Sequence, residues 1–338
     1  DKVVVHTALM GGGFGRRAMS DFVAEAAQIS KAVKAPVKLQ WTRDDDMQHG
    51  FFRQAACHRF KGALDKDGKP VAWLDRLSST SIAAFMFGGG RAEGTEIGGA
   101  ADVPYAIPNL RMEYQAAKSG VPVTFWRSVQ YSFNPFAVEG FIDEMAAAAK
   151  VDPLEFRLRL LAEPRRIPPT GAAALDTQRF KATLELAAKK AGWGTPLPKG
   201  RGRGIACIYG FQTYVAQVAE VSVGTDGKVR VHRVVTATDC GRVINPDIVA
   251  GQMESGTIYG LSAALKGSIT VKGGRVEQEN FDTFEVVRVD EAPVIETYIV
   301  PSTEAPTGTG EPATGPIAAA VANAIFAATG KRVRRLPI

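Results

Sequence analysis

Near its C-terminal end the sequence reads Thr307-Gly308-Thr309-Gly310-Glu311-Pro312, and an alanine-rich run with helical spacing follows from Ile317 to Thr329. Glu311 lies between flexible glycines and a proline, directly ahead of this apolar helix. A carboxylate in that setting can be aimed into a cavity instead of being solvated on a helix face. Glu311 is therefore our first candidate for a general base. The alternative is an ordinary surface turn, in which the glutamate faces water.

A second glycine-rich loop, Gly11 to Arg17 (GGGFGRR), lies at the other end of the chain. It follows a predicted strand and precedes a predicted helix, as a dinucleotide-binding loop would. The third glycine of G-x-G-x-x-G is missing, because Arg16 stands there, and no acidic residue closes a strand about 20 residues further on. The loop instead exposes backbone N–H groups, which suits an anionic cofactor or an oxo ligand. The two glycine-rich loops together suggest one composite site.

The bulk composition predicts a globular protein with one or two domains. The chain has 338 residues, of which 45% are hydrophobic and 22% charged. We expect no membrane span, because no window reaches about 18 uninterrupted apolar residues. The net charge of +6 is spread out and lacks a nucleic-acid motif, so we expect solvent or an acidic subunit, and no nucleic acid, against it. The chain opens within an apolar strand and without an initiator Met, from which we expect further polypeptide upstream.

Metal-binding side chains do not cluster along the sequence. The candidate ligands are scattered and show no metal-ligand spacing: Cys57, Cys207, Cys240, His6, His49, His58 and His232. We therefore predict that this chain holds no zinc and no iron–sulfur cluster of its own.

The pattern of strands, helices and turns predicts an α+β fold of mixed sheets with packed helices. Residues 3–41 read as a β-α-β unit, and Asp226-Gly227 and Gly273-Gly274 mark hairpins. Asn134-Pro135 and Asp152-Pro153 are predicted helix starts. Further helices are predicted over 180–191 and 247–265. A soft boundary near residue 200 divides the chain into a first segment, 1–200, and a second, 201–338.

Four segments, in order, carry a family resemblance. They are Gly11 to Arg17, Phe125 to Val129 with Phe136 to Ala146, Asp239 to Gly256, and Gly308 to Pro312 with its alanine-rich helix. Together they resemble the large, molybdenum-bearing subunit of the xanthine oxidase and aldehyde oxidase family, of the isoquinoline 1-oxidoreductase β-subunit type. The resemblance covers the C-terminal half of that subunit. It implies two molybdopterin-binding segments that correspond to the two halves of the chain.

The resemblance also implies roles for individual residues. Glu311 matches the catalytic glutamate beside the molybdenum. The matching cofactor-binding positions are Gly12, Gly13, Phe14, Gly15, Arg127, Gln252, Thr309 and Gly310. Around Arg127 this chain has Trp-Arg-Ser where the family pattern has Phe-Arg-Gly. No side chain is implied as a metal ligand, since the pterin dithiolene holds the molybdenum.

The implied activity is oxidation of an aldehyde or an N-heteroaromatic substrate with an oxygen derived from water. The implied cofactor is molybdopterin, as the cytosine dinucleotide, with molybdenum. Implied partners are the N-terminal half of the molybdenum subunit, a [2Fe–2S] subunit and a cytochrome c subunit carrying haem c. The expected location is the periplasmic side of the bacterial inner membrane, with the cytoplasm as the alternative.

Two rival readings of the sequence lead to different functions. One is a noncatalytic scaffold half-subunit of such a complex, which the intact loop around Glu311 disfavours. The other is a nicotinamide-dependent oxidoreductase, which the failed glycine fingerprint disfavours.

Overall fold

The computed structural model of the chain describes residues 3–88, 94–168 and 173–338. Its helices are α1 (Asp21–Val33), α2 (Arg43–His49), α3 (Ile82–Phe87), α4 (Gly94–Ile97), α5 (Asn134–Ala149), α6 (Pro153–Leu160), α7 (Thr177–Ala191), α8 (Pro246–Leu265) and α9 (Ile317–Thr329). Its strands are β1 (Ala56–Leu64), β2 (Pro70–Thr80), β3 (Asn109–Ala117), β4 (Arg166–Ile167), β5 (Leu175–Asp176), β6 (Arg201–Gly210), β7 (Thr213–Val223), β8 (Val229–Asp239), β9 (Val271–Lys272), β10 (Arg275–Val276) and β11 (Val294–Ile299). Short 3₁₀ turns cover Arg16–Ala18, Val129–Ser132 and Pro312–Thr314. Helices packed on mixed sheets confirm the predicted α+β class.

The larger sheet of the described residues has the order β11-β8-β7-β6. Its strands β6, β7 and β8 are antiparallel, whereas β11 runs parallel to β8. The predicted Asp226-Gly227 turn joins β7 to β8, and Gly227 has the positive φ of 83° that such a turn requires. The predicted Gly273-Gly274 hairpin is present between β9 and β10.

Helices cover both faces of this sheet. Ile205 and Cys207 on β6 point into the apolar core that contains α7, whereas Ala206 between them points into the core that contains α9. This alternation is the period-two pattern of a strand buried on both faces. The sheet therefore forms the middle layer of an α-β-α arrangement.

Helix α9 lies unusually close to the sheet. A β-carbon on Gly204 would collide with the backbone of Ala320 and Ala324, so glycine is what permits the approach. By length and composition the run Pro312–Thr329 could cross a membrane, but 78% of it is buried inside the protein. Its packing against the sheet is that of a core helix.

A smaller mixed sheet lies earlier in the chain. β1 pairs with β2 antiparallel, and β3 pairs with β2 parallel. The largest apolar core joins side chains on both sides of residue 200, among them Ile142 and Val218. The division into segments 1–200 and 201–338 stays a prediction.

The predicted β-α-β unit over residues 3–41 is wrong. Only its helix forms, as α1, and the flanking apolar stretches 3–10 and 37–41 pair with no strand among the described residues. Val3 is 85% exposed, Leu9 is fully exposed, and α1 buries no residue. Periodicity identifies a segment that can pair, but a strand exists only when a second strand supplies hydrogen-bond partners.

The two predicted helix starts differ in their chemistry. Asp152 caps α6, because its carboxylate accepts hydrogen bonds from the N–H groups of Leu154 and Glu155. Asn134 begins α5 but does not cap it. Its buried amide donates instead to the carbonyl oxygens of Glu96 and Gly98.

Candidate active site

Four parts of the chain that are distant in sequence border a pocket of about 470 Å³. They are the GGGFG loop, the segment 125–129, one face of α8 and the Gly310-Glu311 loop. The residues that line the pocket are Phe14, Gly15, Ala18, Phe125, Arg127, Val129, Gln252, Ser255, Gly310 and Glu311. The sequence-predicted composite site is thus a physical cavity.

Glu311 stands at the wall of this pocket, immediately before the 3₁₀ turn Pro312–Thr314. Its backbone carbonyl accepts a hydrogen bond from Thr314 N–H, which fixes the main chain. Its carboxylate oxygen Oε1 accepts a hydrogen bond of 3.0 Å from the backbone N–H of Ser128. Among the described residues the other carboxylate oxygen makes no hydrogen bond, so it is available to accept a proton.

The loop that carries Glu311 is tied to the tip of the β6–β7 hairpin. The buried hydroxyl of Thr213 donates to the carbonyl oxygen of Gly308 at 2.7 Å, and it lies 2.7 Å from the hydroxyl of Thr307. Because the single hydroxyl proton of Thr213 goes to Gly308, Thr307 is the donor of the second bond. The larger sheet therefore sets the position of the glutamate loop.

Arg127 connects the glutamate loop to α8. Its Nε donates to Gly310 O at 2.7 Å, its Nη1 to Ser255 Oγ at 2.8 Å, and its Nη2 to Gln252 Oε1 at 3.1 Å. The side chain is only 4% exposed. Burial lowers the pKa of this guanidinium below its usual value, and the nearby Tyr259 and Glu311 act in the opposite direction.

The GGGFG loop lies against the segment 125–129. Gly15 has φ 98°, and a β-carbon there would collide with the carbonyl oxygen of Phe125, so this position requires glycine. Phe14 also has a positive φ, of 49°, and its ring stacks on Tyr259 of α8 with 5.5 Å between the ring centroids. The loop thus presents backbone, with little side-chain cover, to the pocket.

The predicted site residues are largely brought together. Six of them line the pocket: Phe14, Gly15, Arg127, Gln252, Gly310 and Glu311. Gly12, Gly13 and Thr309 lie in the same two loops but not on the pocket wall. The roles that the family resemblance implies for these nine positions stay predictions.

Sequence reasoning missed several residues that organise the site. Ser128 holds the carboxylate of Glu311, Ser255 binds Arg127, and Tyr259 supports Phe14. Ser255 and Tyr259 were recognisable in principle, because they follow Gln252 by three and seven residues and so lie on one face of α8. No sequence pattern identifies the backbone N–H of Ser128.

The residues of the pocket fit a planar, anionic cofactor. Among the described residues, Arg127 binds only neutral oxygens, although a buried cation is usually balanced by an opposite charge. The backbone of Gly15 and Gly310 borders the pocket without side chains, so a ligand can approach closely. This donor set is suited to a pterin that carries phosphate.

Comparisons with known proteins agree with this interpretation. A family model described as "Molybdopterin cofactor-binding domain" matches residues 1–161, and a second model with the same description matches residues 141–293. The fold is shared with a solved structure: the crystal structure of quinoline 2-oxidoreductase from Pseudomonas putida 86 superposes with a TM-score of 0.78 at 14% identity, covering 97% of this chain and 66% of that one.

Two curated relatives match the whole chain. The β subunit of isoquinoline 1-oxidoreductase from Brevundimonas diminuta is 33% identical over 100% of this chain and 43% of its own length. The membrane-bound aldehyde dehydrogenase (pyrroloquinoline-quinone) of Gluconacetobacter polyoxogenes is 33% identical over 100% of this chain and 46% of its own length. The chain therefore spans less than half the length of these relatives. It belongs to the molybdenum subunits of the xanthine oxidase family.

Proposed function

We propose that this chain is the molybdenum-binding part of a hydroxylase that oxidises an aldehyde or an N-heteroaromatic substrate, with the added oxygen coming from water. The observation that carries the proposal is the carboxylate of Glu311, which is held by Ser128 N–H at the wall of the pocket. A carboxylate fixed through one oxygen can use the other as a general base.

The chain's own residues would orient the reactants and move a proton. When bound, the molybdenum cofactor supplies the two-electron oxidant. Arg127 and Gln252 would hold its pterin, and the backbone of Gly15 would border it. Glu311 would accept the proton released as oxygen from water is transferred to the substrate carbon, and Phe14, Phe125 and Val129 would exclude bulk water.

Both substrate classes are supported by relatives, one named for isoquinoline oxidation and one for aldehyde oxidation. The apolar wall of the pocket accommodates either. To test the function, the enzyme is purified with its native partners and assayed for molybdenum, iron and pterin. It is then screened against aldehydes and N-heteroaromatics with an artificial electron acceptor in ¹⁸O-labelled water.

We expect stoichiometric molybdenum and one ¹⁸O atom in each hydroxylated N-heteroaromatic product. Enzyme that lacks molybdenum, or product oxygen that does not come from water, would refute the proposal. Full metal content without turnover on any substrate would instead support the noncatalytic scaffold. Turnover that depends on added nicotinamide would support the dinucleotide-dependent alternative.

We further propose that the cofactor is the cytosine dinucleotide form of molybdopterin. Electrons would leave through [2Fe–2S] clusters and haem c on separate subunits, and the complex would work at the periplasmic side of the inner membrane. The scattered cysteines support the need for partners, because the sequence contains no cluster-binding spacing. Base analysis of the released cofactor tests the cytosine dinucleotide form. Cell fractionation tests the periplasmic location.

The N-terminal half of the molybdenum subunit, on a separate polypeptide or on the same one, completes the proposal. It is supported by the length of the relatives and by the exposed apolar stretch 3–10, in which Val3, Val4 and Val5 are 85%, 76% and 79% exposed. We expect the chain purified alone to lack molybdenum and the complex to contain it. Stoichiometric molybdenum in the isolated chain would contradict this dependence.

A further inference from the structure

The most unusual charge outside the pocket wall belongs to Arg53. Its guanidinium packs over the ring of Trp126, with Cζ 4.9 Å from the ring centroid. Within the residues that the structure describes, it makes no hydrogen bond and no ion pair. Burial lowers the pKa of Arg53 below its usual value. A partly buried cation without a counter-charge is costly, so its site favours an anionic ligand.

A second unsatisfied donor lies beside Arg53. Phe52 and Val123 form a parallel β-bridge, which places Arg53 and Thr124 next to each other on neighbouring extended segments. The side chain of Thr124 is 3% exposed, and its hydroxyl has no hydrogen-bond partner among the described residues. Two residues that are neighbours across this bridge, Arg53 and Thr124, therefore each carry a side-chain donor without a hydrogen-bond partner among the described residues.

An aromatic stack links this place to the pocket. The ring of Trp126 packs on Tyr259 with 4.8 Å between the centroids, and Tyr259 stacks on Phe14, which lines the pocket. Arg127 lies against the same Tyr259 ring, with its Cζ 5.5 Å from the centroid. Two guanidinium groups thus flank a continuous aromatic wall.

We propose that Arg53 and Thr124 bind an oxyanion, and that this oxyanion is a phosphate group of the pterin cofactor held in the adjacent pocket. The inference rests on the proposed function, because it assigns the anionic end of the same cofactor. The rings of Phe14, Tyr259 and Trp126 form a wall that runs from the pocket to Arg53. A cofactor with its planar pterin in the pocket would extend its phosphate along this wall to Arg53. Arginine presents a fork of N–H donors that suits phosphate oxygens, and a hydroxyl adds one further donor.

The test compares Arg53→Gln and Arg53→Lys with Arg59→Gln in the assembled enzyme. Arg59 is an exposed arginine on β1 that makes no ion pair in the described part of the chain, so its variant matches the loss of one positive charge. The first readout is the pterin retained per chain after purification. The second is the dissociation constant of inorganic pyrophosphate, measured by calorimetry on the same assembly produced without cofactor.

We expect Arg53→Gln to weaken pyrophosphate binding at least tenfold and to lose most of its pterin. Arg53→Lys should fall between Arg53→Gln and the wild type, and Arg59→Gln should bind within twofold of the wild type. A Thr124→Val variant should weaken pyrophosphate binding by a smaller factor, because it removes one neutral donor. Equal pterin retention and equal affinity in Arg53→Gln and Arg59→Gln would overturn the assignment.

Two further outcomes distinguish a phosphate site at Arg53 from a contact with a partner subunit and from a failure of the proposed function. If Arg53→Gln abolishes assembly with the partner but the assembled fraction keeps its pterin, Arg53 pairs with an acidic side chain of the partner, and the assignment to phosphate is wrong. If wild-type enzyme contains neither pterin nor molybdenum, the proposed function fails. Pyrophosphate binding then still decides whether Arg53 and Thr124 form an oxyanion site.

Discussion

The backbone N–H of Ser128 donates to Oε1 of Glu311 at 3.0 Å, and Ser128 adopts the left-handed φ of 82° in doing so. The next residue, Val129, also has a positive φ, of 46°. Such conformations cost about 1–3 kcal/mol each in residues other than glycine, and they persist only where the surrounding structure imposes them. The turn therefore fixes the carboxylate before any ligand binds.

Replacing Glu311 with Gln is predicted to separate proton transfer from binding. Glutamine keeps a carbonyl oxygen for Ser128 N–H but cannot act as a base. We expect the turnover rate to fall by a factor on the order of 10² or more, with molybdenum and pterin content unchanged. The exposed Glu304→Gln is the matched control. Near-normal turnover of metal-replete Glu311→Gln would remove this residue from the mechanism.

Alanine at Gly15 is predicted to damage both stability and the cofactor site. Its β-carbon would collide with Phe125 O, and its φ is 98°. We expect the free energy of unfolding to drop by about 2 kcal/mol or more in denaturant titrations, with loss of bound pterin. Gly11→Ala is the control, since a β-carbon there meets nothing within 4 Å. Identical unfolding curves for the two variants would contradict the close packing.

Lysine at Arg127 is predicted to loosen the connection between the glutamate loop and α8. A single ammonium group cannot reach Gly310, Ser255 and Gln252 simultaneously. We expect the free energy of unfolding to fall by about 1–3 kcal/mol and the turnover rate to fall with it. The control is Arg111→Lys on β3, where the side chain is 75% exposed. Equal stability of the two variants would show that the three hydrogen bonds contribute nothing.

His232 is predicted to make the fold sensitive to mild acid. Burial, helped by the positive charges of Arg201 and Arg230, lowers the pKa of His232, whose Nε2 lies 2.7 Å from the hydroxyl of Ser222. As the pH falls below about 6.5, the unfolded chain binds the proton first, so stability is lost down to the folded-state pKa. His232→Gln should therefore lose less stability than wild type between about pH 7.5 and about pH 5.5 in urea titrations. Equal losses of unfolding free energy in His232→Gln and in the wild type over this pH range would refute the assignment.

Local chemistry made much of the fold predictable. Asp226-Gly227 gives a hairpin because the turn requires a positive φ, and Asp152 caps α6 because its oxygen reaches the first N–H groups of the helix. The same reasoning failed over residues 3–41, where strand formation depends on a partner that the local pattern does not encode.

The candidate site was predictable only in part, for a similar reason. Glu311 and the GGGFG loop are visible as glycine-rich segments with chemistry-bearing residues. The contact from Ser128 to Glu311 joins residues 183 positions apart and uses a backbone group, so no residue type signals it. Arg53 likewise has no sequence signal, because its lack of an ion-pair partner among the described residues is visible only in the folded chain.

Helix α9 begins six residues after Glu311, and every side chain from Ile317 to Ile325 is buried. The acid is thus anchored to the innermost part of the molecule and not to a segment that could melt separately. Heat inactivation and global unfolding should consequently share one midpoint temperature, with no folded but inactive species populated between them.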